Sequence, residues 1–113
     1  MKRPPRDHRD DNDAELTAHY RAKGASVVHL PIGGGAPDKL IGYLGVTELA
    51  EFKRPAGPKG GTNMRNVSKK QKDWSLVWNG SLPWIIRTTK HADDMLCAMA
   101  AKAARLARNP TLA

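Results

Sequence analysis

Residues 33–53, GGGAPDKLIGYLGVTELAEFK, constrain the fold more than any other stretch of this chain. Two extended runs, Lys39–Leu44 and Val46–Lys53, flank a turn signal at Leu44-Gly45. A two-residue hairpin loop there pairs position 43 with 46 and 42 with 47. Continued outward, that register sets Asp38 directly opposite Glu51. Cross-strand partners hold their Cβ atoms roughly 4.5–5.5 Å apart, and like charges so placed repel, so the pair persists only if something offsets it. Side chains two apart on a strand share a face, so Glu51 and Lys53 point the same way and the hairpin presents Asp38, Glu51 and Lys53 as one cluster. Two carboxylates and an ammonium suit a hard divalent cation beside a phosphate.

Around this hairpin the chain reads as one domain. Residues 1–9, MKRPPRDHR, combine prolines and basic residues with almost no apolar content, which predicts a flexible basic arm ahead of a single domain over residues 10–113. Asp10 to Asp13 supply capping acids for a helix that runs to about Lys23 and stops at Gly24, with Ala14, Leu16 and Tyr20 as packing residues. Glu15 lies in its first turn, where a Glu ordinarily serves the helix dipole. Ser26–Leu30 is a β-branched run and hence a strand, followed by the connection Pro31–Ala36, whose three glycines permit close backbone approach. They form no nucleotide-binding loop, because neither GxGxxG spacing nor a Gly-Lys-Ser/Thr ending is present.

Ser68-x-x-Gln71 is a capping box opening a helix to about Asn79, with Trp74 and Trp78 expected in the core and Gly80 as its stop. Leu82–Thr88 follows as a strand expected to be buried. His91–Arg108 is a long helix with one apolar stripe through Leu96, Met99, Ala103 and Leu106, and its basic end suits a helix carboxyl terminus. The expected fold is α/β (α+β): a small mixed sheet flanked by helices in the order α-β-β-β-α-β-α.

Charge narrows the function. The net charge is +8 over 113 residues, which favours a polyanionic partner, and with few aromatic residues backbone recognition fits better than a stacking platform for single strands. Lys53, Arg54, Lys59, Arg65, Lys69, Lys70 and Lys72 follow one another without an intervening acid. With two prolines and three glycines across Pro55–Gly61, this is a basic loop entering a helix, suited to phosphate contact. The single Cys97 excludes an intramolecular disulfide framework and a cysteine zinc cluster, and the four His residues lack zinc-site spacing. No signal-peptide core and no membrane-length apolar run is present, so a cytoplasmic protein without membrane contact is expected.

Pro37-Asp38, twelve residues, then Glu51-Phe52-Lys53 resembles the PD-(D/E)XK nuclease signature. The wider pattern, with Glu15 on a first helix, the approach GGGAPD, the continuation Lys53-Arg54-Pro55, Gln71 and Trp74 on a later helix, and Gly80 before Trp84–Arg87, is similar to the VRR-NUC branch of phage and bacterial genomes. The resemblance implies a restriction-endonuclease-like core. It also implies a metal-dependent DNA endonuclease in which Asp38, Glu51 and the Phe52 carbonyl hold Mg²⁺ or Mn²⁺, and Lys53 orients the attacking water. Glu15 could add a further acid to the metal. Gln71 would assist, although a cap is an equal reading of it. Arg54, Lys59, Arg65, Lys69, Lys70 and Lys72 would contact DNA, duplex or branched, as at a Holliday junction, and a nuclease of this size would work as a homodimer in a bacterial or phage-infected cell. A non-catalytic basic DNA-binding module, or a degenerate nuclease relative, explains the charge equally well but not three signature residues on one face. A protein-interaction domain with a basic surface leaves the opposed carboxylates unexplained.

Overall fold

The computed structural model describes residues 12–55 and 68–108, a small mixed α/β domain with a four-stranded mixed sheet and three helices. The basic arm, Asp10, Lys59 and Arg65 lie outside the described residues. In chain order the elements are α1 (Asp13–Ala22), β1 (Ser26–His29), β2 (Lys39–Tyr43), β3 (Val46–Phe52), α2 (Lys69–Val77), β4 (Trp84–Ile86) and α3 (Thr89–Arg108). The strands lie side by side in sequence order. The β1–β2 and β2–β3 pairs are antiparallel, and β4 joins β3 in parallel through the connection that contains α2.

The β2–β3 turn has Leu44 at φ 53° and Gly45 at φ 81°, so both central residues are left-handed, as a two-residue hairpin loop requires. Its twist matches that of the flanking strands and fixes the register Tyr43↔Val46, Gly42↔Thr47 and Lys39↔Ala50. One step further out, Asp38 stands opposite Glu51.

Alternation along the strands then divides the sheet into two unlike faces. One carries Ile41, Val46, Ala50, Phe52 and Ile86, all buried, under Leu16 and Tyr20 of α1 and Ala92, Met95, Leu96 and Met99 of α3. Tyr20 stacks flat on Phe52 at 5.7 Å, and its hydroxyl donates to Met95 Sδ. Burial removes the phenol from water and pushes its pKa up. Lys102 on α3 reaches Glu48 at 3.1 Å, tying the helix to β3. The other face, with Leu40, Leu49, Glu51 and Ile85, is only half covered.

Two packing expectations fail on that second face. The tryptophans of the α2 segment do not enter the core: α2 buries no residue, and Trp74 and Trp78 instead stack on each other at 4.9 Å, with Trp78 43% exposed just past the helix end. Spacing of i and i+4 brings two rings together on a helix but does not choose what they face. β4 is an edge strand paired only with β3 among the described residues, and only its Ile86 is fully buried. No helix among the described residues is long and apolar enough to cross a membrane.

Candidate active site

The signature residues lie at the start of β2 and the end of β3, and two neighbouring segments, the start of α1 and the end of β4, hold the strand end there. Lys53 N–H donates to Ile86 O at 2.8 Å, which extends the β3–β4 ladder past Phe52. Asn12, at the start of α1, uses its side-chain amide for none of the helix N–H groups. It donates instead to Lys53 O at 3.0 Å and Arg87 O at 2.9 Å, joining the ends of β3 and β4. Arg87, buried to 3% exposure, donates from Nη1 to Arg54 O at 2.9 Å. Both carbonyls after Phe52 are thereby held, and the path of the Glu-Phe-Lys strand end is over-determined.

Glu51 and Lys53 share a side of β3, with Lys53 Nζ 4.0 Å from Glu51 Oε2 and both side chains largely buried. Glu51, Gln71 and Lys72 line a cavity of about 210 Å³ between β3, β4 and α2, roofed by Trp74 and floored by Ile85 and Pro37. Gln71 is committed to the capping box: its Oε1 accepts from Ser68 N–H and its own N–H donates to Ser68 Oγ. The capping role and the place beside Glu51 are therefore both met by one side chain. Gly35 secures this arrangement from the glycine connection. It has φ +87°, and a Cβ there would collide with the Lys70 backbone carbonyl, so only glycine lets the loop lie against the first turn of α2.

Asp38 behaves differently from its partner across the hairpin. Its Oδ1 accepts a hydrogen bond from Phe52 N–H at 3.1 Å, and its Oδ2 lies 3.6 Å from Lys39 Nζ. The carboxylate is thus drawn to the sheet end and toward the core side, rather than standing with Glu51 and Lys53 as a single cluster. Burial pushes the Asp38 carboxyl above its ordinary range and Asp13 adds to the rise, against the lowering effect of the Lys39 ammonium and the Phe52 N–H.

The acid that α1 brings to this neighbourhood is Asp13, whose Oδ2 pairs with Lys39 Nζ at 2.8 Å; Glu15, the first-turn acid of the expected site, is exposed on the helix. Residues two apart on a helix point about 200° away from each other, so one of the two had to face outward. The packing positions Leu16 and Tyr20 share a side with Asp13, and that periodicity was the available signal. Among the basic residues, Arg54, Lys69, Lys70 and Lys72 are exposed, Lys72 lines the cavity beside Glu51, and Lys69 is paired with Asp73 at 2.9 Å.

No group of three or more His, Cys, Asp or Glu side chains among the described residues is placed to hold a metal ion. The chemistry of the pair nevertheless fits a hard cation. Asp38 and Glu51 offer carboxylate oxygens at neighbouring register positions, and each oxygen has two acceptor sites, so the bond from Phe52 N–H leaves Asp38 with capacity to ligate. No protein-family model, curated protein or solved structure matches this chain.

Proposed function

We propose that this protein is a metal-dependent DNA endonuclease with a restriction-endonuclease-like core of the PD-(D/E)XK type. The observation that carries the reading is the juxtaposition at the hairpin end: Asp38 across from Glu51, with the Lys53 ammonium 4.0 Å from Glu51 and with Gln71 lining one cavity with Glu51. Each carboxylate has an ammonium beside it, Lys39 for Asp38 and Lys53 for Glu51, and carboxylate oxygens at one hairpin end are the ligand type that a hard divalent cation takes.

Asp38, Glu51 and the Phe52 carbonyl are the residues that would hold Mg²⁺ or Mn²⁺. Such an ion, when bound, makes a coordinated water more acidic and withdraws charge from a phosphate oxygen. The chain's own part is electrostatic and positional. Lys53, held near Glu51 and fixed through its backbone to Ile86 and Asn12, presents an ammonium to the scissile phosphate and orients the attacking water. Gln71, its carbonyl already spent on Ser68 N–H, has its amide nitrogen left to fix that water. Arg54, Lys70 and Lys72 grip the DNA backbone, and Lys59 and Arg65 belong to the same basic stretch. Branched DNA cut by a homodimer, in the cytoplasm of a bacterial or phage-infected cell, is the setting that the family resemblance suggests.

One observation favours a second reading, a non-catalytic DNA-binding relative: Lys39 already neutralises Asp38. Incubation of the full chain with plasmid and with four-way junction DNA, in Mg²⁺, Mn²⁺ or EDTA, separates the two. Strand cleavage that requires the divalent ion and disappears in Glu51→Gln supports the nuclease. Tight binding without cleavage under every condition supports the binding module.

A further inference from the structure

Lys39 is the most unusual side chain in the domain. It sits at the first position of β2 on the core face, at 2% exposure, with its ammonium 5.0 Å from the centre of the Phe52 ring. Three acceptor atoms surround the nitrogen: Asp13 Oδ2 from α1 at 2.8 Å, His29 Nδ1 from β1 at 3.0 Å, and Oδ2 of the adjacent Asp38 at 3.6 Å. An ammonium has donors only, so His29 must meet it with the lone pair of an unprotonated Nδ1. Two carboxylate oxygens and an imidazole nitrogen around one centre are the donor types of a divalent-metal site. They stand off at ammonium spacing, well outside the roughly 2.1 Å that a small hard cation requires.

We propose that Lys39 is a built-in cation that takes, on the core side of Asp38, the place of a second metal ion, so that the site accepts one divalent ion per chain. The inference rests on the reading of Asp38 and Glu51 as metal ligands. Tethered by its own stem, the ammonium competes for Asp38 Oδ2 at an effective concentration that a free ion does not reach. An incoming ion therefore meets Asp38 only from the side of Glu51. Lys39 also acts on Asp38 as a positioning residue. With the Phe52 N–H on Oδ1 and the ammonium near Oδ2, the carboxylate has a single orientation before any ion arrives. A route to the ammonium exists in the fold, since a cleft of about 600 Å³ between α1 and β1 is lined by Asp13, Thr17, Arg21, His29 and Lys39.

The number of ions bound reads the proposal directly. Manganese is titrated into the full chain, and bound ions are counted by loss of the free Mn²⁺ electron paramagnetic resonance signal, for wild type, Lys39→Met and the double variant Lys39→Met/Asp13→Asn. Methionine keeps an unbranched stem of similar length and removes the charge. The expected counts are one ion for wild type, two for Lys39→Met, and one again for the double variant, which lacks one of the freed carboxylates. If Lys39→Met is unfolded in EDTA, its far-ultraviolet circular dichroism is followed through the same titration. Recovery of the helical signal with two ions bound supports the proposal, because metal binding then drives folding, and failure to recover at any Mn²⁺ concentration overturns it. A count of one in folded Lys39→Met, or of two in wild type, also overturns it while leaving the nuclease reading intact. A count of zero in wild type overturns both, through the reading of Asp38 and Glu51.

Discussion

The two faces of the β2–β3 hairpin are built from alternate residues of the same two strands, yet they are opposite in character. The face under α1 and α3 is closed, with Ile41, Ala50, Phe52 and Ile86 at 3% exposure or less, and its one deep charge, Lys39, is enclosed by partners. The face under α2 is open, with Leu40, Leu49 and Ile85 half covered and a helix above it that buries nothing. Packing is concentrated on the first face, and the second is the one to which the proposed chemistry is assigned. The chain thus needs only the period of two along a strand to keep a tight scaffold one residue away from a site with room for a ligand.

The sharpest test of that contrast is a pair of truncations. Phe52→Ala removes a buried ring stacked on Tyr20 and is expected to cost about 3–5 kcal/mol, a large share of the roughly 5–15 kcal/mol that holds a domain folded. Leu49→Ala, three residues away on the open face, is expected to cost no more than about 1 kcal/mol, because its methyl groups have not left water to the same extent. Similar losses in urea-denaturation midpoints for the two variants would erase the distinction between the faces.

Function should divide the other way. Glu51→Gln and Lys53→Ala are each expected to lower cleavage by about a hundredfold or more, the scale seen when a preorganised charge is removed from a transition state. DNA affinity should stay within a few-fold, since the remaining cations still neutralise phosphates. Unchanged cleavage by Glu51→Gln would move the chemistry off this face altogether.

The open face also depends on one backbone contact. Gly35→Ala forces a Cβ into the Lys70 carbonyl at a positive φ, so a cost on the order of 1–3 kcal/mol is expected. The loss should appear as faster amide exchange confined to α2, with α1 and α3 unaffected. Uniform loss of protection across the domain would show that α2 is integral to the scaffold instead of resting on it.

The hairpin was legible from sequence because its information is local. A loop of Leu44 and Gly45 sets the pairing of Tyr43 with Val46, and strict alternation then carries the register to Asp38 and Glu51. The Ser68–Gln71 capping box was legible for the same reason. Lys39 was not. By parity it belongs on the core face with Ile41, but two of its partners, Asp13 and His29, come from α1 and β1, and convergence of separate elements on one nitrogen has no signature in local periodicity. The choice of Asp13 over Glu15 was recoverable from the Leu16–Tyr20 stripe, because the acid on the packed side of a helix is the one in step with its apolar residues. The placement of the tryptophans was not recoverable, since i and i+4 spacing brings two rings together without choosing what they face.

The smallest expected effect bears on how the two faces meet at Asp38. Its carboxylate touches the scaffold through Phe52 N–H and Lys39, and it stands across the hairpin from Glu51. Burial raises its pKa, so the charged form is the one that the folded, metal-free protein disfavours, and that cost is present at neutral pH. Asp38→Asn keeps an oxygen to accept from Phe52 N–H while removing the charge and its repulsion from Glu51, a term of about 0.2–1 kcal/mol for cross-strand pairs. Lys39 retains Asp13 as its closer partner at 2.8 Å. In EDTA the variant should therefore melt slightly above wild type, by about 1–6 °C on the scale that relates free energy to melting temperature in domains of this size. In Mn²⁺ the order should reverse. Wild type gains RT ln(1 + [L]/Kd), about 2.7 kcal/mol at a hundredfold excess over Kd, and the variant gains little because a ligand is gone. Equal gains in both proteins would place the ion elsewhere. A variant that melts below wild type in EDTA would assign Asp38 to the closed face, as a counter-charge that Lys39 cannot do without.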